Sequence, residues 1–202
     1  MIKSNATVGM TSFEKEIEGL GIIRLRPFQL NNDCEILHKW VTQPYAKYWE
    51  MQHFSLQDVQ KAYADFEARD GYEMYMGTLN GTPIFLMESY VVAKDSLSSY
   101  YNCEKGDIGM HILVAPVKQP ISGFTTSIFL TVMQFLFYSK KAIRVVVEPD
   151  IRNDKIHVLN KKMGFSYHKV IKLPNKEAGL AFCTESDFNK AFQEISSLQH
   201  KQ

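Results

Sequence analysis

The residues Ser122-Gly123-Phe124-Thr125-Thr126, where a loop should run into a helix, are the first place in this 202-residue chain where chemistry can be located. The first amides of a helix lack intrahelical partners and carry partial positive charge, so such a junction suits a phosphate or pyrophosphate. Gly123 removes the side chain that would block close approach. A simple Ser/Thr helix cap is the plainer reading of the same residues. The six histidines (His38, His53, His111, His157, His168, His200) and three cysteines (Cys34, Cys103, Cys183) show no close metal-ligand spacing, so no metal is expected. There is no phosphate-loop signature, no complete dinucleotide glycine fingerprint and no Gly-x-Ser-x-Gly elbow. Lys140 to Lys162 holds seven Lys/Arg against three acids, which fits a solvated face or a polyphosphate contact.

Composition bounds what such a site can serve. Hydrophobic residues are 45% and charged residues 22%, the mix of an ordinary globular domain and not of a disordered or collagenous chain. Twenty-three Lys+Arg balance twenty-two Asp+Glu, so the chain as a whole has no pull toward nucleic acid or an anionic membrane. Few, scattered cysteines point to a reducing compartment. The segment MIKSNATVGMTSFEKEIEGL lacks a signal-peptide core. The most apolar stretch, Ile121 to Tyr138, is too short and mixed to span a bilayer, which needs ~20 apolar residues. A cytoplasmic location is expected, and a homodimer is left open.

The elements that must position the junction follow from periodicity. Residues 1–20 read as an extension and 21–202 as one domain. Gly21 to Phe28 alternates like a half-buried strand. Asn31-Asn32-Asp33 offers an N-cap for a helix carrying Leu37, Trp40 and Val41. Ser55 and Asp58 form a capping box for a second helix. Asn80-Gly81 joins Tyr72–Leu79 and Thr82–Val92 as a hairpin. Asp107 to Ala115 is a strand, and the apolar helix follows the Pro116–Gly123 loop. Ala142 to Val147 is a buried strand. Asp150 to Met163 is a helix stopped by Gly164. Strands at 165–172 and 179–183 and a helix from 185 to about 197 complete the chain. The fold class expected is α/β (α+β): a mixed central sheet of about seven strands with helices on both faces.

The stretch from Asp107 to Phe165 resembles a known family. Gly109-Met110-His111-Ile112-Leu113, Gly123-Phe124, Phe135-Leu136-Phe137, Arg144 to Asn153 (RVVVEPDIRN), Leu159-Asn160, Gly164-Phe165 and Leu173 to Ala178 carry the likeness. Together with the topology they resemble the GNAT acyl-CoA transferase superfamily. The nearer match is its siderophore-biosynthesis branch: aerobactin-type hydroxylysine acetyltransferases, rhizobactin- and alcaligin-type relatives and mycobactin lysine acyltransferases. The likeness covers about residues 22 to 190. Two departures stand out. The phosphate loop keeps a single glycine, and Asn160 stands where many relatives carry a Tyr that serves as general acid.

The resemblance implies a parallel strand pair that splays to admit the pantetheine arm of acetyl-CoA or another acyl-CoA. Ile112, Leu113 and Val114 would pair with pantetheine as an added strand. Gln119, Ser122, Gly123, Phe124 and Thr125 would hold the pyrophosphate. Asn153 and Asn160 fall on the cofactor side, with Lys155 or Lys161 toward the far arm. The implied catalytic pair is His111, as base, and Asp150, which orients the amine or takes a proton. A satisfied core histidine and a helix N-cap are the structural alternatives. Glu148 is expected on the opposite side of its strand. Tyr48, Trp49 and Glu50 would wall the acceptor groove, and Lys176 would meet a substrate carboxylate. Residues 50–73 hold six acids against two bases, as suits a polyamine or amino-acid acceptor or simply an exposed face. The activity implied is acylation of an N-hydroxylated amine to a hydroxamate, by direct transfer and without a metal. An aminoglycoside or plain-lysine acetyltransferase and a silent acyl-CoA-binding module are the competing readings.

Overall fold

The computed structural model describes residues 12–116 and 121–199. One eight-stranded sheet carries the fold, in the spatial order Phe13–Ile17, Gly21–Pro27, Tyr72–Leu79, Thr82–Val91, Asp107–Val114, Arg144–Val147, Glu177–Thr184 and Ser166–Lys172. Phe13–Ile17 (β1) pairs antiparallel with Gly21–Pro27 (β2), so part of the expected extension belongs to the sheet, which gains an eighth strand. Helix α1 (Leu30–Val41) starts just ahead of the expected Asn31–Asp33 cap. Asp33 lies inside its first turn, bound by both Arg26 guanidinium nitrogens at 2.7 Å and by the Gln29 amide at 2.8 Å. A 3-10 turn (Pro44–Trp49) leads to α2 (Leu56–Glu67), whose Ser55–Asp58 capping box is present as expected.

The hairpin of β3 (Tyr72–Leu79) and β4 (Thr82–Val91) turns on Asn80 and Gly81, both at positive φ. That is the geometry Asn-Gly favours, because its twist matches that of the strands. β5 (Asp107–Val114) lies antiparallel to β4. Next come α3 (Phe124–Gln134), continued by a π-helical turn, and β6 (Arg144–Val147). Helix α4 spans Asp154–Lys162, shorter than expected. It does not begin at Asp150, because residues 149–151 pair with β8 (Glu177–Thr184) instead. β7 (Ser166–Lys172) and α5 (Glu185–Gln199) complete the fold.

Side-chain alternation assigns the two faces of the sheet. Met87, Met110, Val145 and Val147 join the core under α3 and α5. Leu86 and Leu113 face the cluster of α1 and α2. Glu88, His111 and Glu148 share the parity of this second face.

β5 and β6 are the parallel pair, and they match over only three positions, Asp107↔Arg144 to Gly109↔Val146. A twin hydrogen bond from Arg144 to Asp107 (2.9 and 2.7 Å) holds the closed end. Beyond Gly109 no described strand pairs the β6-facing edge of β5, so the two strands part. Gly109 has a further task. A Cβ there would come within 2.1 Å of the Tyr90 ring. The bare backbone lets that ring lie across β5 and bring its hydroxyl to Glu148.

Candidate active site

Three side chains meet over the open end of the wedge. Glu88 and His111 are direct partners in the β4–β5 register. His111 Nδ1 lies 3.0 Å from Glu88 Oε2, and Nε2 lies 2.7 Å from Glu148 Oε1. The Tyr90 hydroxyl donates to the other Glu148 oxygen at 3.3 Å, and Lys176 Nζ stands 3.8 Å from Glu148. Both carboxylates are buried, at 9% and 7% side-chain exposure, whereas His111 keeps 37%.

Ionised carboxylates only accept, so an imidazole between two of them must supply two N–H groups, which makes it an imidazolium. Burial alone would lower the His111 pKa. The Glu148 charge and hydrogen bond, then those of Glu88, outweigh it and raise the pKa to about 10. Burial alone would raise Glu148, yet His111 and then Lys176 and Tyr90 hold it below the usual glutamate value. An imidazolium has no lone pair to take a proton, so this geometry speaks against the expected role of His111 as base and for Glu148 in that place. The His111 ring nitrogens are expected to stay protonated above pH 8 in a 15N NMR titration. A neutral ring at pH 7 would refute the imidazolium.

Glu148 itself corrects a second expectation. It shares parity with Val146 and so projects toward His111. Asp150 lines the same cavity, but its carboxylate is taken by Arg152, with Nε at 2.9 Å, Nη2 at 2.6 Å and the backbone amide at 2.8 Å. These contacts, the guanidinium first, lower its pKa to about 2.

Two adjoining cavities meet at the wedge. The first, about 310 Å3, takes in Glu88, His111, Glu148, Asp150, Asn160 and Lys176, with Tyr48, Trp49 and Glu50 on its wall. Trp49 is pinned by its indole N–H to the Tyr63 hydroxyl at 2.8 Å, and Glu50 accepts from Asn175 at 2.6 Å. The second, about 530 Å3, runs along Ile112, Leu113 and Val114 to Thr125, Thr126, Lys155 and Lys162. Asn153, Ile112 and Phe129 border both.

Of the residues expected to hold the nucleotide, Ser122 and Gly123 are exposed at the start of α3, outside both linings. Phe124 is corrected: its ring is buried in the core and its amide is bonded to the Ile121 carbonyl. Gln119 lies outside the described residues. Lys161 borders a separate cleft. Lys162, not anticipated, sits in the groove and donates to Thr126 Oγ1 at 3.1 Å. Glu88 and Tyr90 were also missed.

An acyl-CoA fits what is present. The free edge of β5 offers backbone partners for amides. The Thr125 and Thr126 amides have no backbone acceptor among the described residues and lie beside the Lys162 ammonium. Asn160, expected on the cofactor side, borders the first cavity instead; it is 1% exposed, and its Oδ1 has no partner among the described residues.

The profile of the GNAT acetyltransferase domain matches residues 29–173. The chain belongs to the GNAT acetyltransferase family. It is thus an acyl-CoA N-acyltransferase. Among curated relatives, it is 25% identical to an N-hydroxyputrescine acetyltransferase of Acinetobacter baumannii, over 81% of this chain and 78% of that one. It is 29% identical to the lysine N-acyltransferase MbtK of Mycobacterium tuberculosis, over 64% of this chain and 61% of that one. The chain thus spans about three fifths of the mycobacterial protein's length. An uncharacterized protein of Bacillus halodurans superposes with a TM-score of 0.84 at 30% identity, over 91% of this chain and 95% of that one. The aminoglycoside acetyltransferase AAC(6')-Ib, solved with coenzyme A and kanamycin, superposes with a TM-score of 0.72 at 23% identity, over 83% and 98%, and shares the fold. Among the described residues no helix is long and apolar enough to cross a membrane.

Proposed function

We propose that this acyltransferase acylates an N-hydroxylated amine to a hydroxamate, in the cytoplasm, as a step of siderophore assembly. The observation that carries the reading is the setting of Glu148, whose two oxygens meet His111 and the Tyr90 hydroxyl with Lys176 nearby, contacts that favour the ionised carboxylate. An alkylammonium has a reference pKa of ~10.4 and must lose a proton before it attacks. A carboxylate held below the ordinary glutamate range is far too weak a base to strip that proton. An N-hydroxylated amine is neutral at pH 7 and needs a base only as its nitrogen becomes cationic in attack. The name of the Acinetobacter relative, an N-hydroxyputrescine acetyltransferase, agrees with that class of acceptor, whereas the mycobacterial name gives a lysine.

An acyl-CoA supplies a thioester carbonyl when bound. Glu148 accepts the nitrogen proton as the C–N bond forms and the C–S bond breaks, and the thiolate leaves to be protonated by solvent. His111 holds Glu148 charged and aimed. Tyr48 and Trp49 wall the acceptor, so positioning supplies much of the rate. Ile112 to Val114, Asn153, Thr125 and Lys162 hold the nucleotide arm. No cysteine lines either cavity among the described residues, in keeping with direct transfer.

Four carboxylates line the acceptor cavity (Glu50, Glu88, Glu148, Asp150), and they favour a cationic polyamine or aminoglycoside as the second reading. A thiol-release screen of acetyl- and succinyl-CoA against N-hydroxylysine, N-hydroxyputrescine, their parent amines and kanamycin separates the two. Higher kcat/KM for the hydroxylated member of each pair is expected. Preference for a parent amine or kanamycin would move the assignment to the second reading. Binding of CoA without thiol release from any acceptor would make the protein a silent binding module.

A further inference from the structure

We infer that Asn160 reads the N-hydroxyl group of the acceptor, an assignment that rests on the N-acylation reading of the same cavity. Asn160 is 1% exposed, and its Nδ2 donates to the Tyr167 hydroxyl at 3.0 Å. Its Oδ1 is a buried acceptor with no partner among the described residues, and the side chain borders the cavity that holds Glu148. Leaving such an oxygen dry costs ~1–3 kcal/mol, so the position calls for a donor from the ligand.

The candidate donors differ in where they lie and how strong they are. In the proposed arrangement the pantetheine amides run along Ile112 to Val114 in the second cavity, whose lining does not include Asn160. A thiol is a weak donor. An ammonium is drawn first to the carboxyl groups of Glu50, Glu148 or Asp150 in the same cavity. A neutral O–H on the reacting nitrogen is strong enough and does not need a counter-charge. It also answers the amide in either rotamer, because a hydroxyl both donates and accepts, as does the Tyr167 hydroxyl on the other side. A site built to bond a hydroxyl discriminates strongly against the analogue that lacks it, because its own polar group is then left unpaired.

The test compares acetyl transfer to N-hydroxyputrescine and to putrescine in wild type, Asn160→Leu and Tyr167→Phe. Asn160→Leu is expected to lower kcat/KM for N-hydroxyputrescine by ~5–100-fold, the equivalent of one lost bond to a buried group. Putrescine lacks the hydroxyl, and the lining of the second cavity does not include Asn160, so putrescine turnover and the KM for acetyl-CoA should stay within about twofold. Tyr167→Phe keeps Asn160 but frees its Nδ2, and a smaller drop in the same ratio is expected. An unchanged ratio in both variants, or a raised acetyl-CoA KM, overturns the assignment while leaving the acyl-transfer reading intact. Thiol release with neither acceptor in wild type overturns both.

Discussion

Glu148→Gln is expected to lower kcat by ~10²–10⁴-fold, the usual span for loss of a general base. The amide keeps the shape and can still accept from His111, so the cavity should hold its form. Acetyl-CoA affinity, measured by calorimetry, should change little, because the nucleotide groove lies beyond Ile112 and Asn153. A second readout accompanies the first. Glu148 is the largest of the groups that raise the His111 pKa. Its neutralisation should therefore bring the ring's titration down toward the ordinary value. A purely structural role for Glu148 would lower stability and turnover together without that shift. Asp150→Asn is the contrasting variant. Its carboxylate is already bonded by Arg152, so turnover should fall less than about tenfold, well short of the loss for a general base. The reverse order, with Asp150→Asn the more damaging, would return the base to Asp150.

The acid limb of the rate profile follows from the same charge state. The active form has Glu148 ionised, and its folded pKa is lowered. Turnover limited by this group should hold at neutral pH and fall only in acid, below the ordinary glutamate range.

Much of this arrangement was legible in the residues. The Asn80-Gly81 hairpin and the Ser55–Asp58 box declare themselves through local backbone chemistry, which tertiary contacts rarely override. His111 and the open edge of β5 were placed by the likeness of GMHIL and VVVEPDIRN. The limits are equally specific. Asp150 was read as the start of a helix because Asp commonly caps one, yet the 149–151 backbone found partners on β8, a long-range pairing that no local signal reports. Glu148 was set on the wrong face, although the period of two puts residues 146, 148 and 150 together. Glu88 did leave a trace: it is the one charged residue in the run from Ile84 to Val92. A lone acid in a buried strand requires a partner. Its partner in the ladder, His111, was not visible until the β4–β5 register was known. Lys162 reaches α3 only through the tertiary packing of α4.

His111→Ala is expected to destabilise the fold by about 2–3 kcal/mol at pH 8. That is below the ~3–5 kcal/mol typical when one partner of a buried pair is removed, because the ring is partly exposed. For a chain of this size the melting temperature should drop by ~4–12 °C. The cause is the pair of carboxylates left facing each other without the cation between them. The pH dependence separates this from mere loss of packing. The His111 pKa is raised in the folded state, so its contribution is complete below about 6.5 and fades as pH rises through about 10. Glu148 is lowered, so its contribution is present above the ordinary value of 4.5 and is lost as pH falls. The triad therefore stabilises most between these limits. The gap between wild type and His111→Ala should be widest near pH 6 and narrow on both sides, toward pH 4 as the bared carboxylates protonate and toward pH 10 as the wild-type ring loses its charge. Denaturant midpoints measured from pH 4 to 10 decide the matter. A constant gap would mean that the ring contributes packing alone, and that Glu88 and Glu148 do not depend on its charge.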